Sequence, residues 1–206
     1  MPDPAALFAD AAATVVELVD RIAPDAWAGP GLGAWDLKAL VGHTSRSLVT
    51  VAGYPRLPAA DERVGSAAEY YAVIKTGGLP GTTDPEAIVE RGRQAGAQLG
   101  AEPAAAFRAL VEPATERVAA LGPDAVVETI AGGMRVRHYL PTRTFELVVH
   151  GLDIAAATGE PVEFAPEVLA EAVGLAAHTA VRLGEGVPLL LALTGRRPLP
   201  AGFCVV

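Results

Sequence analysis

Four residues in one stretch have types and spacing that could do chemistry together: Arg143, Glu146, His150 and Asp153. On a helix, residues three or four apart share a face, so these four form one polar stripe. Glu146 and His150, at i and i+4, can reach a single ion, and a carboxylate oxygen with an imidazole nitrogen suits Zn²⁺ or a neighbouring divalent transition metal. A third protein donor is required from elsewhere in the chain, and the free histidines are His43, His138 and His178. An ordinary alternative stands beside the metal reading: Arg143 pairs with Glu146 while His150 bonds a backbone carbonyl. Asp153 fits either an outer partner of a ligand or an exposed ion pair. The single cysteine, Cys204, excludes an intramolecular disulfide and a multi-cysteine metal site. Nothing beside it in the sequence marks it as a candidate nucleophile.

The stripe needs a helix to carry it. Residues 141–158 read as one, ended by Gly159, with Phe145, Leu147, Val148, Val149, Leu152 and Ile154 spread around most of its circumference. A helix apolar nearly all round is normally buried, and a buried Glu and His without partners would cost several kcal/mol. Upstream, Phe8, Ala12, Val15, Val19 and Ile22 follow helical spacing over residues 4–22. Asp36 is an N-cap for a second helix with an apolar stripe from Leu37 to Val51, and His43 lies two turns in, at the stripe's edge. Residues 53–65 read as loop and residues 66–75 as a short helix. Asp84-Pro85-Glu86 starts a helical region to Leu121 that Pro103 and Pro113 must kink or break. Residues 126–130 and 134–137 read as two short strands around a glycine pair. Pro166 opens a helix to Leu183, where His178 sits among alanines. Residues 187–194 read as a strand, followed by a proline-rich tail. His138, at the strand–helix junction, and His178 are more ordinary as surface or packing residues than as ligands, and Trp35 is more ordinary as a core anchor. These elements predict an all-α domain spanning 1–206: one helical bundle over about 4–183 with a minor β appendage, namely a short β-hairpin and a C-terminal strand and tail over 184–206.

The whole-chain balance narrows the function further. With 206 residues, 51% hydrophobic and 19% charged, the chain can bury one good core. A net charge of −8 with few aromatics argues against nucleic-acid binding. No apolar run reaches membrane-spanning length, and the start Met1-Pro-Asp-Pro lacks a secretory signal's basic and apolar regions. A soluble cytoplasmic protein is expected, and the Ala-rich helix faces are compatible with a homodimer. Fourteen Arg against only Lys38 and Lys75, with abundant Ala, Gly and Pro, mark a GC-rich coding sequence.

Two separated motifs carry a resemblance. Gly33-Ala-Trp-Asp-Leu-Lys-Ala-Leu-Val-Gly-His43 resembles the first signature of the mycothiol-dependent maleylpyruvate isomerase family. Arg143-Thr-Phe-Glu-Leu-Val-Val-His-Gly-Leu-Asp153 resembles its second, Arg-x-x-Glu-x-x-x-His-x-x-Asp. The resemblance covers nearly the whole chain and implies a DinB-like four-helix bundle with a metal site. Matched position by position, the family's ligands fall on His43, Glu146 and His150, with Zn²⁺ first and Ni²⁺ or Fe²⁺ as other candidates. Three ligands would leave room for water or a thiol. Arg143 becomes a candidate for binding a carboxylate of substrate or thiol, with a structural pairing to Glu146 as the alternative. The isomerase proper is similar to a two-part protein with a further C-terminal domain, and this sequence ends soon after the bundle. The implied function is therefore a metal-dependent thiol transferase or isomerase acting on a small electrophile, with mycothiol as co-substrate, rather than maleylpyruvate isomerisation itself. A non-catalytic metal-binding sensor or stress-response module is the alternative.

Overall fold

The computed structural model describes residues 3–54, 61–77 and 84–206. Met1 and Pro2, residues 55–60 of the expected loop and Gly78 lie outside them. The described residues are mostly helical, with one small two-stranded sheet among them.

Helix α1 spans Pro4–Asp20; the Asp3 carboxylate accepts from the Ala5 amide at 3.1 Å, and Pro4 occupies a position where no amide is needed. Phe8, Ala12, Val15 and Val19 are buried, as their spacing requires. Helix α2, Leu37–Ala52, is capped by Asp36, which accepts from Ala39 N at 2.7 Å. Helix α3 is Ala67–Gly77. The proline-interrupted region divides into α4 (Pro85–Gln98), α5 (Pro103–Arg108) and α6 (Val111–Leu121). Pro103 opens α5, and Pro113 falls in the first turn of α6, where a missing amide breaks no helical bond.

Strands β1 (Val126–Thr129) and β2 (Gly132–Arg135) pair antiparallel, Val126 opposite Arg135. The glycine pair expected in the turn instead begins β2. The reason is steric: a Cβ on Gly133 would meet the Asp61 carbonyl oxygen at 2.0 Å, and the Gly133 carbonyl accepts from Arg63 N and Val64 N.

Helix α7 runs Val136–Thr158, five residues earlier than Pro141 suggests as a start. Its first-turn amides already have acceptors, since Val136 N bonds Ala125 O at 2.9 Å and Arg137 N bonds Pro123 O at 3.0 Å. Pro141, inside the helix, removes one donor near this end and does not stop it. Helix α8 is Pro166–Arg182. The expected C-terminal strand is instead α9, Gly186–Leu193. Its continuous apolar run carries no period that separates helix from strand, Pro188 is tolerated in a first helical turn, and the sheet contains only β1 and β2.

Helix α2 lies against α4 and α7, and α7 also packs on α1 and α8. Side chains from these elements join one buried hydrophobic cluster. Where α2 crosses α4 the backbones touch: a Cβ on Gly42 would lie 2.1 Å from Gly96 N. That contact seats the turn bearing His43 beside α4. No helix of the described residues is long and apolar enough to cross a membrane.

Candidate metal centre

The facing sides of α2 and α7 bring together His43, Glu146 and His150. One ligand-capable atom from each lies within 4.8 Å of the others. His43 arrives from α2 with its ring against Trp35 (centroids 4.5 Å apart) and edge-on to His150 (4.9 Å). Trp35 is the anchor expected of it. It is 8% exposed, donates Nε1–H to Val89 O at 2.9 Å, and lies so close to Gly92 that a Cβ there would meet its ring at 2.5 Å.

The polar stripe of α7 therefore faces protein, although the helix is not buried all round, since Leu152 is exposed. Glu146 Oε2 lies 3.2 Å from His150 Nε2, the i, i+4 pair foreseen from spacing. On its other side, His150 Nδ1 meets Asp153 Oδ2 at 3.1 Å, not a backbone carbonyl. A carboxylate only accepts, so this contact places a proton on Nδ1 and leaves Nε2 as the nitrogen aimed at Glu146. Asp153 thus orients a candidate ligand through its far nitrogen, a common arrangement around metal-binding histidines.

Glu146 Oε1 accepts a 2.6 Å hydrogen bond from the Tyr71 hydroxyl, which also lies 3.2 Å from Thr142 O. Arg143 forms no ion pair with Glu146 among the described residues. Its guanidinium lies over the rings of Tyr139 (4.9 Å) and Tyr70 (5.7 Å), donates Nε–H to Thr142 Oγ1 at 3.0 Å and reaches the Tyr70 hydroxyl at 3.4 Å. Cation–π attraction on two faces, not a carboxylate, fixes it.

Protonation follows from this packing. Burial drives His43 down to about 4, helped by the charges of His150, Arg46 and Arg91 against the pull of Glu146, so at neutral pH it is an uncharged lone-pair donor. Burial would also lower His150, but hydrogen bonds to Asp153 and Glu146 and their charges overcome it and raise the ring to about 9. For Glu146 burial favours protonation. The His150 bond, the Arg143 charge and the Tyr71 bond outweigh it and hold the carboxyl near 2. The centre is thus a neutral imidazole, a carboxylate and an imidazolium whose proton occupies space between donors.

Two observations fit this group to a divalent cation. The His43 Nδ1 atom is buried with no hydrogen-bond partner among the described residues, a costly state for a polar nitrogen in a protein interior. The donors, two imidazoles and one carboxylate, are the set that Zn²⁺ and its neighbours prefer.

The remaining sequence candidates lie elsewhere. His138, in the first turn of α7, meets Glu62 Oε1 at 3.0 Å, and Glu62 also pairs with Arg135 at 2.8 Å, tying the segment before α3 to the hairpin. His178 is exposed on α8, and Cys204 is an exposed tail thiol. Tyr71, Tyr70 and Tyr139 were not foreseen as site residues. The adjacent Tyr70-Tyr71 pair in a short helix was the only trace of them, and nothing in its spacing points to Glu146.

No curated protein and no solved structure matches this chain. A family model, described as the mycothiol maleylpyruvate isomerase N-terminal domain, matches residues 8–155. That span contains both motifs, the three clustered side chains, all of α2 and all but the last three residues of α7. It also covers well over half of the sequence. The chain belongs to the family of the mycothiol maleylpyruvate isomerase N-terminal domain.

Proposed function

We propose that His43, Glu146 and His150 hold one divalent metal ion, Zn²⁺ before Ni²⁺ or Fe²⁺, in a DinB-like helical bundle. The centre serves a thiol transferase or isomerase acting on a small electrophile. Mycothiol is the thiol the family name suggests. The observation that carries this reading is the convergence of three donor atoms from two helices, one of them on a histidine whose Nδ1 is buried without a hydrogen-bond partner among the described residues. When bound, the ion supplies Lewis acidity that lowers a thiol's pKa and makes a nucleophile available at neutral pH.

The chain's own groups have separable tasks. His43 is already neutral and needs no deprotonation to donate. Asp153 holds His150 so that Nε2 points toward Glu146. Arg143 keeps its charge beside the centre, held well above its ordinary pKa by Tyr139, Tyr70 and Glu146 against the effect of burial. With no carboxylate partner among the described residues, its guanidinium is suited to an anionic group of substrate or thiol.

The test is elemental analysis of purified protein combined with calorimetry against mycothiol and other small thiols. About one ion per chain, thiol binding that disappears on chelation, and loss of both in Glu146→Gln are expected. Ion without thiol affinity or S-transfer to model electrophiles would favour a binding module. A wild-type chain without ion would remove the foundation of the reading.

A further inference from the structure

The Tyr71 hydroxyl carries one proton and faces two acceptors, Glu146 Oε1 at 2.6 Å and Thr142 O at 3.2 Å. The carboxylate is nearer and charged, so it takes the stronger share of that proton. The other carboxylate oxygen, Oε2, is the one directed at His150. The two oxygens of Glu146 are therefore already divided between separate partners.

Resting on the metal-centre reading above, we propose that Tyr71 is a positioning residue that engages Oε1 and restricts Glu146 to binding a divalent ion through Oε2 alone. A carboxylate can offer a cation one oxygen or two, and the neighbours of its second oxygen decide which. Tyr71 cannot easily withdraw. It is 6% exposed, and its ring packs edge-on against Tyr70 (5.3 Å) and Phe145 (5.4 Å), while α3 is held against α7 and α8. Taking Oε1 from the phenol would leave a buried hydroxyl with only its longer contact to Thr142 O. The consequence is a centre with fewer protein oxygens around the ion, hence a position left for an exogenous ligand.

The experiment loads wild-type protein and Tyr71→Phe with Co²⁺ and compares their visible spectra, alongside Zn²⁺ affinity by competition with a chelating dye. Intense low-coordinate Co²⁺ bands in wild type, weakened in the variant, together with a ten- to hundredfold loss of Zn²⁺ affinity, are expected. Identical spectra and affinities overturn the role of Tyr71 while leaving the metal centre standing, whereas a wild-type chain that binds neither ion overturns both. Because the variant could fold poorly, infrared difference spectra of wild type with and without Zn²⁺ give a second readout. A wide separation of the carboxylate stretches supports binding through one oxygen, and a narrow one contradicts it.

Discussion

His150 has two jobs that depend on its two nitrogens. Nδ1 is committed to Asp153, and Nε2 faces Glu146. Replacing Asp153 with Asn removes the acceptor charge that fixes this orientation, and we expect a ten- to hundredfold loss of metal affinity with the fold intact, measured by chelator competition. Unchanged affinity would assign Asp153 to the surface. Proton linkage makes a second prediction. Without ion, His150 keeps its proton up to about pH 9, while Glu146 and His43 are already deprotonated at neutrality. Ion binding must then expel about one proton, so affinity should rise about tenfold per pH unit from 6.5 toward 9. Titrations in buffers of different ionisation enthalpy count that proton, and a flat pH dependence would contradict the assignment. The same values set the stability of the ion-free chain. His150, with a raised folded pKa, contributes fully below 6.5 and loses its contribution as pH climbs through about 9. His43, with a lowered one, contributes above 6.5 and loses it as pH drops through about 4. Ion-free protein should therefore melt at its highest temperature near the ordinary histidine pKa between these limits.

Helices α2, α4 and α7 turn those residues into a site, and what the sequence revealed of them differs by element. The Glu146–His150 pair was legible because helical spacing fixes which side chains share a face. His43 required the resemblance, because spacing within one helix cannot select a partner on another. Tyr71 was not legible. It reaches Glu146 only after α3 folds back from 75 residues away, a tertiary event without local periodicity. Residues 187–194 read as a strand but form α9 for the opposite reason, since a short, uniformly apolar run has no period that separates the two. Pro141 reads as the start of α7 because proline is a common first helical residue, whereas the bonds from Val136 and Arg137 to the preceding loop are visible only in three dimensions. The Gly42–Gly96 crossing gives this scale its own prediction. A Cβ at Gly42 would meet backbone atoms of Gly96 at 2.1 and 2.4 Å, and backbone cannot rotate aside. Gly42→Ala must push α4 from α2 at a cost of about 1–3 kcal/mol. In a chain of this size that lowers the melting temperature by roughly 2–12 °C. A melt within a degree of wild type would mean that the contact is not tight.

At the scale of the whole molecule, an ion that joins α2 to α7 binds the folded chain and not the unfolded one. At a free concentration about a hundred times its Kd it should stabilise the fold by about 2.7 kcal/mol. Chelation should then lower the melting temperature by roughly 5–11 °C in wild type and not at all in Glu146→Gln. Family membership and the clustered donors point the same way, and both rest on side chains lying within residues 8–155. The most direct measurement is X-ray absorption at the zinc edge on stoichiometrically loaded protein. Two imidazole nitrogens and one carboxylate oxygen at about 2.0–2.2 Å are expected, with the imidazole signal reduced in His43→Ala. A shell without imidazole, or one that His43→Ala leaves unchanged, would contradict this ligand set.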